Sequence, residues 1–302
     1  VDVRLVGNIG NPILLEKKVT NRTVFVIEAS SYQLEYSKLF KSNISLILNI
    51  SPDHLERHKT IKKYVSAKFK LVKNQSKGDV AILNIKNFYI KRELESKNFL
   101  PKVIKIKKNI DNIFLKKINN QYFNTEGNQE NLKFILEVAK ILKLKKNLLV
   151  KTLKKFKGLK YRQEIIFQSK KLTIINDSKA TTFSSSASLL KSLTNVYWIV
   201  GGQAKKGDKL LLSKTKCINI KAYVFGTNKN FFISKLKKLM KYESFFDLKS
   251  LVKKISLEIK LDKNKTNKII LFSPSAASFD NFKNFEKRGA YFNQLIKKYI
   301  NV

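Results

Sequence analysis

The sequence predicts an α/β protein of two domains, each a mostly parallel sheet flanked by helices, and three observations predict it. Short apolar runs rich in β-branched residues alternate with stretches whose apolar residues recur at helical spacing, the pattern that builds parallel sheets. That alternation restarts past Gly158. At 302 residues the chain is long enough for two cores of ordinary domain size.

In chain order, "TVFVIE" (Thr23–Glu28), "ISLILNI" (Ile44–Ile50) and "VAILN" (Val80–Asn84) read as strands buried on both faces. "IFLKKINNQYF" (Ile113–Phe123) reads as a small hairpin turning on Asn119 and Asn120. "NQENLKFILEVAKILKL" (Asn128–Leu144) has an Asn start and helical spacing, and a second helix near Asn147–Phe156 ends at Gly158. Past that glycine, "EIIFQSKKLTIIND" (Glu164–Asp177) reads as two strands and "TFSSSASLLKSL" (Thr182–Leu193) as a helix. "VYWIVGG" (Val196–Gly202), "IKAYVFG" (Ile220–Gly226) and "KIILFSP" (Lys268–Pro274) are three further buried-type strands. The second domain, residues 159–302, is therefore predicted as a Rossmann-like sheet with its ligand site at the carboxyl ends of the strands.

The net charge of +40 invites a nucleic-acid reading, because clustered cations displace counterions from phosphates. Only six of the 62 basic residues are arginine (Arg4, Arg22, Arg57, Arg92, Arg162 and Arg288), and the lysines are scattered. Lysine lacks the forked donors that read base edges, so the charge is expected to solvate surfaces and give only weak, nonspecific retention. A single cysteine, Cys217, excludes an internal disulfide framework and suits a reducing cytosol. No apolar run approaches the roughly 18 residues of a membrane span, and the N-terminus does not read as a signal peptide. The chain begins Val-Asp-Val, which reads as a fragment.

Chemistry-bearing residues fall just past strand ends. Glu28 closes one strand, Asp53 and His54 follow the next, Asp177, Ser178 and Lys179 follow "LTIIN", and Ser273 to Ser278 follow the last. A Ser or Asp there most often caps a helix; four such places on one logic point to a site. Glu28 and His54 could form a corner for a divalent cation, or His54 could be satisfied in the interior. Lys68 cannot join them as an ammonium, which has donors and no lone pair. No G-x-x-x-x-G-K-[ST] phosphate loop is present; the nearest approach, Gly202 to Gly207, is followed by Asp208.

Nine segments, in order, carry a resemblance: "VGNIGNP" (Val6–Pro12), "EASSYQLE" (Glu28–Glu35), "LNISPDHLERH" (Leu48–His58), "YVSAK" (Tyr64–Lys68), "GNQEN" (Gly127–Asn131), "YRQE" (Tyr161–Glu164), "NDSKATT" (Asn176–Thr182), "GGQAKKGD" (Gly201–Asp208) and "SPSAASFDNFKNFEKRG" (Ser273–Gly289). They resemble the Mur ligases over nearly the whole chain. The "NDSKAT" and "SFDNFKNFEKRG" blocks resemble the D-glutamate-adding branch.

The resemblance implies an α/β chain whose residues 1–158 form most of a central ATP-binding domain and 159–302 an amino-acid-binding domain. It implies ATP-dependent amide-bond formation through an acyl phosphate, with ATP, D-glutamate and UDP-N-acetylmuramoyl-L-alanine as substrates and Mg2+ as cofactor. Carried over by position, Glu28 and His54 become Mg2+ ligands. Lys68 becomes a carbamylated lysine, whose carboxylate-like group could ligate, and Asn8 falls near the muramoyl-peptide and metal. Asn128, Asn131, Arg162, Asp177 and Lys179 become nucleotide contacts. Thr181, Lys205, Ser278, Phe279 and Phe285 become the D-glutamate pocket. His58 is expected on the surface at a helix start.

Three departures stand out. Tyr161 and a missing histidine near Asn128–Asn131 differ from the family on the adenine side, and Phe279 replaces a smaller apolar residue. The UDP-binding domain and "GKST"-type loop expected ahead of "VGNIG" are not among these residues. The polypeptide alone is therefore expected to be a monomer with little or no ligase activity, and its central sheet to be poorly stable. Three other readings compete: another ligase of the superfamily, of folylpolyglutamate or cyanophycin type; a non-catalytic lysine-rich nucleic-acid-binding fragment; and a non-functional truncated copy.

Overall fold

The computed structural model describes residues 1–106, 109–205, 208–262 and 266–300. The chain forms two compact units, residues 1–110 with 130–144, and residues 111–129 with 145–302. Residues 111–129 and 145–158 therefore cluster with the chain beyond Gly158.

The first unit begins with β1 (Asp2–Gly7) and β2 (Thr23–Glu28), paired in parallel. Then come α1 (Ser31–Tyr36), β3 (Ile44–Ile47), α2 (Leu55–His58), α3 (Ile61–Lys73), β4 (Val80–Asn84), α4 (Phe88–Ser96) and β5 (Lys102–Ile106). Strands β3, β4 and β5 make a second parallel sheet in that order. The two of its strands predicted from the sequence, β3 and β4, are packed in a core: Ile47, Ala81 and Leu83 lie against Tyr64, Val65, Phe69 and Val72 of α3. The prediction fails for "TVFVIE". Val24 and Val26 are 39% and 52% exposed, and their register partners Val3 and Leu5 are 62% and 50% exposed. No other described element covers that face, so the alternation of β2 is real but only one face is packed.

The segment read as a hairpin is helical: α5 (Asn112–Ile118), followed by a short 3-10 turn at Gln121–Asn124. Asp111 caps α5 by accepting from the Ile113 N–H at 3.0 Å, and buried Ile118 anchors its inner face. Asn119 takes a left-handed conformation, φ 45°, as the C-cap of this helix, so the Asn-Asn pair that suggested a hairpin instead stops a helix. Next, α6 (Glu126–Ile141) starts before the predicted Asn128, because the Thr125 hydroxyl already accepts the Asn128 N–H. α7 (Lys146–Lys155) falls within a residue of its predicted span.

The second unit continues with β6 (Glu164–Gln168), β7 (Leu172–Asn176), α8 (Phe183–Ser192), β8 (Val196–Gly201), α9 (Lys214–Cys217), β9 (Ile220–Phe225), α10 (Lys229–Leu236), β10 (Lys241–Ser244), α11 (Leu248–Leu261), β11 (Lys268–Phe272) and α12 (Phe285–Ile300). One six-stranded sheet has the order β10-β9-β8-β11-β7-β6, parallel except for β6 against β7. Both faces are covered. Phe183, Leu189, Trp198, Val200 and Phe232 pack on one side; Ile174, Tyr223, Ile255, Phe272 and Phe292 pack on the other. This is the Rossmann-like sheet predicted, and double coverage is why its strands read as continuous apolar runs. The chain leaves β7 for β8, winds outward through β9 and β10, and returns to place β11 between β7 and β8. In open α/β sheets such a reversal marks where a ligand crevice lies, here the carboxyl ends of β7, β8 and β11.

Candidate functional site

In the first unit, chemistry collects past the ends of β1, β2 and β3. Gly7, at φ +106°, lets the chain pass so close to β2 that a Cβ would run into the Glu28 carbonyl. The approach allows Asn8 to bind Glu28 twice. Its backbone N–H donates to the Glu28 carbonyl, and its Nδ2 donates to Oε1, both at 2.8 Å. A capping box between Ser30 and Gln33 starts α1 and sets Ser31 and Tyr32 beside the α2 region.

His54 precedes α2 in a left-handed conformation, φ 52°, with its N–H donated to Asp53 Oδ1 at 2.9 Å. Its Nδ1 lies 3.2 Å from the Tyr32 hydroxyl. His58 corrects the sequence reading. It is 2% exposed, with Nε2 at 3.0 Å from Ser31 Oγ and its ring packed among Tyr32 and Tyr64, because those aromatic rings close over a position that the sequence places on the surface.

Thr60 caps α3, whose apolar stripe leaves Lys68 facing the same region. The Lys68 ammonium lies 5.2 Å from the centre of the Tyr64 ring. Burial lowers its pKa, and the Asp53 and Glu28 carboxylates oppose that shift. Tyr64 is pushed up to about 12, by burial first and then by Asp53. Glu28, His54 and Lys68 are thus held in one neighbourhood. Among the described residues no three His, Cys, Asp or Glu side chains gather where they could hold a metal ion. The donor set is one carboxylate and one imidazole, and a protonated Lys68 adds a repelling charge. The set fits a divalent cation once Lys68 carries a carboxylate. Burial favours that conversion, since only the neutral amine adds to CO2.

In the second unit the crevice is built around buried Asp177. Its N–H donates to the Phe272 carbonyl at 2.7 Å, while its carboxylate accepts from the Gln163 N–H at 3.1 Å and from Ser273 Oγ at 2.8 Å. Ser186 and Ser273 hydroxyls are 2.6 Å apart, and Ser275 donates to Ser186 at 2.6 Å. Because the carboxylate only accepts, the chain runs from Ser275 through Ser186 and Ser273 to Asp177. Burial raises the Asp177 pKa to about 7 against those bonds and the nearby Arg162 charge.

Lys179 follows with its ammonium 4.1 Å from the centre of the Phe285 ring, and half-buried Thr181 lies just beyond. Ser278 is buried, Phe279 is 72% exposed, and Lys205 is exposed. Lys206 and Gly207 of the neighbouring glycine loop lie outside the described residues. Asn128 is buried and spends both amide donors internally, on the Tyr122 carbonyl at 2.7 Å and on Gln163 Oε1 at 3.1 Å. Asn131, one turn on, is exposed and clusters with the first unit.

Sequence reasoning missed Arg288, which is fully buried and ties the two crevice loops together. It donates to Ser178 Oγ and to the carbonyls of Ser178, Ala276 and Ala277 at 2.7 to 3.1 Å. A signal was present: Arg288 stands on the stripe of Phe292, Leu295 and Ile296, at spacings of four, seven and eight.

Comparison with known proteins agrees with this fold. A family model described as the Mur ligase middle domain matches residues 5–150. The UDP-N-acetylmuramoylalanine–D-glutamate ligase of Rickettsia bellii is 33% identical over 319 residues, covering 98% of this chain and 69% of that protein. Its counterpart in Francisella tularensis subsp. tularensis is 31% identical over 297 residues, covering 97% and 68%. Among solved structures, MurF ligase from Thermotoga maritima in complex with ADP aligns with a TM-score of 0.63 at 15% identity, over 92% of this chain and 68% of that one. MurF from Acinetobacter baumannii aligns at 0.59 and 12%, over 99% and 76%. At such identities the structural likeness speaks for the fold alone. The sequence matches carry further, and by them the chain belongs to the Mur ligase family.

Proposed function

We propose that this chain is the catalytic and amino-acid-binding part of an ATP-dependent ligase that joins D-glutamate to UDP-N-acetylmuramoyl-L-alanine in peptidoglycan synthesis. The observation that carries the reading is the placing of Glu28 at the end of β2, His54 past β3 and Lys68 on α3 in one neighbourhood, in a chain 33% identical to a D-glutamate ligase. Residues 1–158 form most of the ATP-binding part, and 159–302 carry the amino-acid pocket together with further nucleotide contacts.

The muramoyl-peptide carboxylate attacks the γ-phosphorus of ATP and ADP leaves, giving an acyl phosphate. The amine of D-glutamate then attacks the acyl carbon, and phosphate leaves with the C–O bond electrons as the amine gives up a proton. Glu28, His54 and a carbamylated Lys68 would hold Mg2+, which supplies charge neutralisation for the transferring phosphoryl group. Asn8 fixes the Glu28 carboxylate by a hydrogen bond donated from its side-chain amide. Arg162, Asp177 and Lys179, with Asn128 and Asn131, serve the nucleotide. Lys205 with the hydroxyls of Thr181 and Ser278 suits two carboxylates, and Phe279 and Phe285 wall the short aliphatic chain.

Amino-acid choice tests this reading. Residues 1–302, joined to the part of the Rickettsia bellii ligase that they do not match, are expected to release phosphate from ATP in the presence of UDP-N-acetylmuramoyl-L-alanine and D-glutamate. L-glutamate and L-lysine are expected to give background only. A preference for either would overturn the substrate assignment. The 302 residues alone contain no phosphate-cradling loop and are expected to give little or no ligation; measurable turnover by them would contradict that.

A further inference from the structure

Tyr32 and Glu56 have no part in the roles assigned above, yet both face the same nitrogen of His54. The Tyr32 hydroxyl is 3.2 Å from Nδ1, with the two rings edge-on and their centroids 5.1 Å apart. Glu56 Oε1 is 3.5 Å from that nitrogen. On the other side of the ring, Nε2 has Asp53 Oδ2 at 3.6 Å, beyond hydrogen-bond reach. Asp53 Oδ1 is already taken by the His54 N–H.

A neutral imidazole carries one N–H, and its neighbours decide where. An Nδ1–H meets a phenol oxygen at bonding distance and a carboxylate close behind it. The Tyr32 hydroxyl can accept from an Nδ1–H or donate to a bare Nδ1, so the choice falls to Glu56, whose carboxylate 3.5 Å away attracts an N–H and repels a lone pair. The left-handed backbone at His54 limits where the ring can swing, so the contact with Tyr32 also fixes its plane.

We propose that Tyr32, supported by Glu56, is a positioning residue that holds His54 in its Nδ1–H tautomer and leaves the Nε2 lone pair as the metal-facing donor. A histidine that ligates a metal through one nitrogen needs the other held by an acceptor, and such partners commonly change metal affinity 10- to 100-fold. The role of Tyr32 rests on the reading of His54 as a ligand; the tautomer does not.

With only two histidines in the chain, ring-nitrogen NMR on the 15N-labelled protein reads each of them, and His58→Gln assigns the pair. In metal-free protein at mildly alkaline pH, His54 is expected to show a protonated Nδ1 and an unprotonated Nε2. Tyr32→Phe keeps the ring packing and is expected to mix the two tautomers and to weaken Mn2+ binding by about tenfold. A protonated Nε2 in the parent protein, or a His54 spectrum unchanged by Tyr32→Phe, overturns the proposal. Mn2+ affinity that survives His54→Ala overturns the ligand reading and the role of Tyr32 with it, while leaving the tautomer itself measured.

Discussion

Arg288→Met is expected to destabilise the second unit by about 3–5 kcal/mol, read as a fall in the urea midpoint. The side chain is fully buried, and its Nε, Nη1 and Nη2 groups donate four hydrogen bonds to loop atoms at the carboxyl ends of the strands. Burial holds its pKa down to about 10, with Asp280 opposing, so it stays charged at neutral pH. Methionine fills similar space but leaves the buried carbonyls of Ser178 and Ala276 without their Arg288 donor, each such group costing about 1–3 kcal/mol, while the Ala277 carbonyl keeps the Gln203 N–H. Lysine is expected to rescue little, because one ammonium cannot span the positions that the planar fork reaches. Gly202 packs against this fork: a Cβ there would meet the Ala277 carbonyl and Arg288 Nη1. A loss under about 1 kcal/mol would show that the loops hold their shape without the clamp.

The second large effect is a pH dependence seated at Asp177. Its pKa in the fold is about 7, raised from the ordinary carboxylate value of 3.8, chiefly by burial. A carboxyl raised in this way contributes stability in full below its unfolded pKa, and that contribution is lost as pH rises through the folded value. The window runs from about pH 4 to about pH 7, and roughly three units correspond to at most about 4 kcal/mol. Asp177→Asn mimics the protonated form. It is expected to remove this part of the pH dependence and to melt higher than the parent above neutrality. The amide can donate to Ser273, whose hydroxyl then donates to Ser186, while Ser186 still accepts from Ser275 and donates to the Ser273 carbonyl. Parallel melting curves for parent and variant across that range would contradict the assignment.

Much of the fold was legible because burial writes itself into composition. The strands β7, β8, β9 and β11 are covered on both sides and read as unbroken apolar runs. β5, with its interleaved lysines, and short β10 carried no such signal, since edge strands face water. Asn119 misled because a left-handed Asn serves a helix C-cap as well as a turn.

The site was legible by motif and not by physics. Glu28, His54 and Lys68 are far apart in sequence and stand on elements of two different sheets and a helix, so only the packing of Tyr32 and Tyr64 between those elements relates them. Arg288 and His58 were missed for one reason: each is a polar side chain buried by partners distant in the chain. Ser31 and Tyr64 bury His58; Ser178, Ala276 and Ala277 bury Arg288.

Lys68 decides the proposed metal chemistry, because Glu28 and His54 offer one carboxylate and one imidazole, and among the described residues a third ligand is available only if that amine has taken up CO2. The chain, incubated with 13C-bicarbonate, is expected to show one lysine carbamate by 13C NMR. The resonance should broaden on addition of Mn2+ and vanish in Lys68→Arg. A carbamate signal that survives Lys68→Arg, or none in excess bicarbonate, would contradict the assignment of Lys68 to the metal site.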